Sequence, residues 1–122
     1  MIKNEAIAKW EKAIDTQSMK LVMNVYDSNA ILLATFSAKE KKGINEIIPY
    51  FEGLFKKKNL NVRFITYTTQ KIGKTEILSG HYIFSYDGLL NMVHTIKARY
   101  TFVTLETKKG IKIINHHSSL QP

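Results

Sequence analysis

The chain has 122 residues, 44% hydrophobic and 23% charged, enough to bury roughly two-thirds of its unfolded surface around one core. It has no cysteine, which excludes disulfides, thiol nucleophiles, iron–sulfur clusters and thiolate zinc sites. Its charge of +8 comes from sixteen lysines and only two arginines, Arg63 and Arg99; the lysines are scattered or sit at element ends, which disfavours nucleic acid as a partner. No apolar run approaches the roughly 20 residues that span a bilayer, so no membrane partner is expected. The start, MIKNEAIAKWEKAID, is amphipathic and unlike a signal peptide, and a cytoplasmic location is expected.

Residues 3–17 place Ala6, Ile7, Trp10, Ala13 and Ile14 on one helical face. Ser18 is a candidate cap for a second helix over 19–26, with Leu21, Val22, Val25 and Tyr26 as its stripe. Asp27-Ser28-Asn29 is turn chemistry, 30–34 a short buried strand, and 37–43 a loop. A third helix is predicted over about 44–56, with Pro49 kinking it or shortening its first turn. After Asn59 the period changes to two. Residues 62–71, 75–86, 91–107 and 111–119 read as four long strands joined by tight turns at Gly73-Lys74, Asp87-Gly88 and Lys109-Gly110. The fold class is α+β: three N-terminal helices packed on one face of a strongly curved, mostly antiparallel sheet, in a single domain over residues 1–122.

That element order carries a set of short motifs. They are Trp10 with Ala13-Ile14 and Thr16, residues 26–37 (YDSNAILLATFS), Gly43-Ile44 with Tyr50-Phe51, residues 79–84 (SGHYIF), 98–103 (ARYTFV) and 116–119 (HHSS). Together they span about residues 5–120, and the chain resembles the nuclear transport factor 2-like superfamily, with its cone-shaped, cystatin-like fold. More narrowly, it is similar to bacterial relatives of the calcium/calmodulin-dependent protein kinase II association domain. Asn29 stands where that family often carries Asp, and Gln121-Pro122 where it often carries Met-Pro. The resemblance implies a pocket between helices and concave sheet, and dimerisation through the outer sheet face. It does not fix a function, because this fold hosts many enzymes and pure assembly modules.

Arg99 is the most informative residue. Strand parity groups it with Lys97, Thr101, Val103 and Leu105, opposite Ala98, Tyr100, Phe102 and Thr104. The resemblance implies an arginine here that points into the pocket, where a guanidinium would receive a carboxylate through two parallel hydrogen bonds. A structural pair with Glu76, Glu106 or a helix acid is the alternative. His116 and His117 must face opposite sides of their strand. Taking Ile111 and Ile113 as inward carries Asn115 and His117 into the pocket and leaves His116 outside. His117 is then a polar donor or base, or else a hydrogen-bonded core histidine. Trp10 and Tyr82, each with a polar handle, are the preferred pocket walls among aromatics whose default role is core.

No acid falls mid-strand on the inward face, and there is no phosphate loop or nucleophile elbow. The reading is therefore a small-molecule-binding or self-association domain with an anion-receiving cleft (Arg99, His117, Tyr82, Trp10, Asn115) and no evident catalytic constellation. The alternative is a ketosteroid-isomerase-like or polyketide-cyclase-like acid–base enzyme with His117 as base. No metal or cofactor is expected. The expected partners are a second copy, as homodimer or larger oligomer, and a small carboxylate or aromatic ligand. The dimer face is assigned to Tyr100, Phe102, Ile114, Ile96 and His116 by parity, as an apolar outer patch.

Overall fold

The computed structural model describes residues 2–122. Asn4 opens the first helix, α1 (Glu5–Thr16): its Oδ1 accepts from the Ile7 N–H at 3.1 Å. Gln17 closes it in the left-handed conformation (φ 51°). Ser18 caps α2 (Met19–Val25), accepting from Leu21 N–H. The chain then enters β1 (Tyr26–Leu33), turns back through a two-residue strand β2 (Lys41–Lys42), and forms α3 (Ile44–Leu54). Four long strands follow: β3 (Lys58–Ile72), β4 (Thr75–Asp87), β5 (Val93–Thr107) and β6 (Gly110–Leu120).

The six strands form one sheet in the order β2-β1-β6-β5-β4-β3, with β1 and β6 parallel and every other pair antiparallel. The α+β class and curved sheet therefore hold. The helices fill the concave side, where Trp10 of α1 stacks on Tyr82 of β4 (5.6 Å, 13°) and Phe51 of α3 meets Tyr26 (5.7 Å). Trp10, Tyr82, Phe51, Phe102, Ile7, Ile14, Leu32, Ile47 and Ile113 are fully buried between the layers.

Several local expectations are corrected. The strand expected at 30–34 begins at Tyr26, because Tyr26 pairs with Ile113 across a bulged stretch rather than ending the helix. Part of the loop expected at 37–43 becomes β2. Pro49 does not break α3; it sits at an exposed position, and the backbone acceptor it leaves unpaired belongs to Asn45, itself exposed. The β4–β5 link is not a tight turn at Asp87-Gly88 but a 3-10 turn over Leu89–Asn91, so Asn91 lies outside β5.

Two bulges shape the site. In β3, Phe64 pairs with Tyr82 but Thr66 with His81, leaving Ile65 as an extra residue. The Thr66 carbonyl turns inward and accepts from the Tyr100 hydroxyl at 2.8 Å. It lies over Gly80, where a Cβ would come within 2.0 Å of it. In β6, Asn115 pairs with Val103 but Ile113 with Thr104, leaving Ile114 as the extra residue.

Candidate functional site

The bulge at Ile114 decides which histidine faces inward. Beyond an extra residue the side-chain alternation is inverted. Ile113 points into the core as expected, but after Ile114 it is His116 and Ser118 that point inward, while Asn115 and His117 are exposed on the convex face. The expectation of Asn115 and His117 inside and His116 outside is thus reversed. The pair Ile113-Ile114, two apolar residues in succession within an alternating strand, is the sequence signal that marks the bulge.

The sides of β5 are also exchanged. The parity grouping holds, but Ala98, Tyr100 and Phe102 are buried and Arg99 is exposed on the convex face beside His81 of β4 and Ser119 of β6. The rings belong in the dry interior and the charges of Lys97 and Arg99 in water. Tyr100, Phe102 and His116 therefore are not on an outer face. Ile114 and Ile96 are half-buried.

Inside the cone the polar side chains form one continuous relay. Trp10 Nε1 can only donate, and it donates to Tyr26 Oη at 3.1 Å. Tyr26 Oη lies 2.8 Å from His116 Nδ1, and Tyr82 Oη lies 3.2 Å from His116 Nε2. Tyr82 donates to Ser118 Oγ at 2.5 Å, and Ser118 meets the Thr35 hydroxyl. A single direction satisfies every group: Trp10 to Tyr26, Tyr26 to Nδ1, Nε2–H to Tyr82, Tyr82 to Ser118. His116 is thereby the neutral Nε2–H tautomer. Its ring stacks on Phe102 at 3.8 Å. Burial, then the neighbouring His117, pushes its pKa down to about 3. Burial likewise raises Tyr26 well above its ordinary value, and Tyr82 too. Among the described residues, no buried side-chain nitrogen or oxygen lacks a partner.

Trp10 and Tyr82, expected as pocket walls, line the interior cavity together with His116, Ser118 and Thr35. That cavity measures about 10 Å³, space for a single water. Ser118 and Thr35 also form the wall of a groove of about 340 Å³ at the end of β1 and β6, which His117, Ser119 and Lys39 share. Arg99 reaches neither. Tyr26, His116, Ser118 and Thr35 are the residues sequence reasoning missed.

A family model for the calcium/calmodulin dependent protein kinase II association domain matches residues 4–122. The chain belongs to that family. No curated protein sequence matches it significantly. Among solved structures, it is similar to one assigned as such an association domain from Xanthomonas campestris. The two are 27% identical with a TM-score of 0.87, over 95% of this chain and 83% of that one. The S. rosetta CaMKII hub superposes with a TM-score of 0.81 at 16% identity, covering 99% and 98% of the two chains. A Streptomyces avermitilis protein of the NTF2-like family, proposed to be a dehydratase, gives 0.87 at 11% identity over 95% and 91%. These last two likenesses establish the shared cone fold expected from the sequence.

Proposed function

We propose that the chain is a self-associating module whose copies pair through the convex face of the sheet, with a homodimer as the smallest closed form. One observation carries this: all three helices lie on the concave side, and the convex face is left without cover. That face carries Ile77, Ile83, Val103 and Leu105, with Ile31 and Leu33 at its β1 margin. An uncovered sheet face with such a row is a standard interface. The family's association-domain description and the hub likeness support the same reading. The contact is centred on Ile77, Val103 and Ile31, because Arg63, Lys97 and Arg99 crowd the other end and like charges would meet there. Sedimentation equilibrium tests it. The parent should exceed the 14.0 kDa of one chain, and Val103→Asp should sediment as monomer with its helix and sheet content intact. A monomeric parent, or an associated Val103→Asp, would overturn it.

The relay favours a second reading, a small carboxylate or aromatic ligand in the groove at Thr35 and Ser118. A directed chain that ends on two hydroxyls presents a donor to an acceptor oxygen there. The acid–base enzyme reading finds less support, because His117 lies across the sheet from the interior cavity and both nitrogens of His116 are engaged. A thermal-shift screen of small carboxylates against the parent and Thr35→Val would decide. Stabilisation lost in the variant supports a ligand; no stabilisation of the parent removes it.

A further inference from the structure

The link between β4 and β5 exposes apolar surface more openly than any other described segment. Leu89, Leu90, Met92 and Val93 are 83%, 85%, 64% and 68% exposed, four large apolar side chains within five residues. The tip is nonetheless built. The Gly88 N–H donates to the Met92 carbonyl at 2.7 Å, and the N–H groups of Asn91 and Met92 donate back to the carbonyls of Gly88 and Leu89 at 3.2 Å. Leu90 and Asn91 both hold left-handed backbone, φ 57° and 58°. Leucine adopts that conformation only against a steric cost, and here it serves to hold a leucine out into water.

Beside this tip stand three successive lysines at the junction of α3 and β3. Lys58 Nζ donates to Asn91 Oδ1 at 3.1 Å, tying the cluster directly to the tip. Lys57 Nζ sits over the Tyr86 ring at 4.2 Å and the Phe36 ring at 5.3 Å, and Lys56 is exposed. The neighbouring carboxylate, Asp87, accepts from Asn59 Nδ2 at 2.6 Å. Among the described residues no carboxylate is paired with any of the three lysines, and the ion pair that does form, Lys9–Glu5, lies within α1.

We propose that this end of the molecule is a peripheral contact for an anionic lipid surface. Leu89, Leu90 and Met92 enter the interfacial layer while Lys56, Lys57 and Lys58 meet headgroup phosphates. Charge complementarity selects this occupant: a second copy meeting it tip to tip would set the same three lysines against these, whereas an anionic bilayer offers an apolar layer and negative charge at adjacent depths. The lack of a spanning segment does not bear on it, because the tip lies on the surface and crosses nothing. The inference is independent of self-association through the convex face.

Vesicle co-sedimentation tests it, with phosphatidylcholine alone and with phosphatidylcholine containing phosphatidylserine. The parent should bind only the anionic vesicles, and more weakly as salt rises. Leu89→Asp with Leu90→Asp should lower binding at least about tenfold, and each Lys→Gln change at 56 or 58 about fivefold. Leu90→Gly separates contact from folding. It relieves the left-handed backbone, so the melting temperature should hold or rise while vesicle binding falls. Absence of binding to anionic vesicles overturns the proposal. So do equal binding to neutral ones, binding that survives the double Asp change, and a double Asp variant whose oligomeric state changes without lipid.

Discussion

Acidification should destabilise this protein through one side chain, His116. In the fold its ring is sealed among Trp10, Tyr26, Tyr82 and Phe102, and its pKa is pushed from 6.5 to about 3. Both ring nitrogens are committed, Nδ1 as acceptor from Tyr26, so a second proton would displace the Tyr26 hydroxyl hydrogen as well as bury a charge. The unfolded chain has no such constraint and protonates near 6.5. Between those values the unfolded state binds one more proton than the native state, so stability falls as pH falls. It is fully present above about pH 6.5 and is lost progressively toward pH 3. At pH 4.5 the imidazole lies two pH units below its unfolded pKa, and each costs about 1.4 kcal/mol, giving a loss of about 2.7 kcal/mol from this residue. Glu11 and Asp15, whose carboxyl pKa values are raised by burial, work in the opposite direction at lower pH. They are common to parent and variant and cancel in the comparison. Urea unfolding of the parent and His116→Gln at pH 7.5 and 4.5, at one protein concentration, measures the difference. The parent should lose about 2.7 kcal/mol more than the variant. Equal losses would refute the neutral, doubly engaged histidine and the relay direction drawn from it.

Gly80→Ala should destabilise by about 3 kcal/mol, because the new Cβ would lie 2.0 Å from the Thr66 carbonyl oxygen and 2.9 Å from the Tyr100 hydroxyl that this carbonyl engages. Gly53→Ala is the control: nothing lies within 4 Å in α3, so a gain of about 0.5–1 kcal/mol is expected by chemical denaturation, and a Gly80 variant as stable as the parent would contradict the inward bulge. Asn4→Ala removes the α1 cap and the Nδ2 bonds to Glu76 (2.6 Å) and Thr104 (2.9 Å), for a combined loss of about 2 kcal/mol in urea unfolding. A change below about 0.5 kcal/mol would mean that α1 is not anchored to β4 and β5 through this residue.

Local periodicity was enough to read the helices, because Ala6, Ile7, Trp10, Ala13 and Ile14 repeat at the spacing of one buried face and all five are buried. It was enough for the hairpins at Gly73-Lys74 and Lys109-Gly110, where turn residues interrupt a period of two. It could not supply the parallel pairing of β1 with β6, which joins residues about 85 positions apart, nor the edge seal on β3. There Asp15 accepts from the Val62 N–H and Gln17 donates to the Leu60 carbonyl, covering the first half of an otherwise open strand. The interior site was lost for a narrower reason. Alternation says that His116 and His117 part company; it does not say which goes inside, since that depends on how many residues have been skipped upstream. One was, at Ile114. The same count governs β3, where Ile65 turns the Thr66 carbonyl toward Tyr100. In both strands a single unpaired isoleucine sets the chemistry of the concave face. At Ile114 it places an uncharged imidazole between two tyrosines inside the cone and leaves its neighbour His117, like Arg99, on the convex face. Deleting Ile114 would make the pairing regular and leave His116 and Ser118 inside, whereas a strand that kept Ile114 in plain alternation would turn Asn115 and His117 inward and lose the Tyr82–Ser118 hydroxyl contact on which the relay ends.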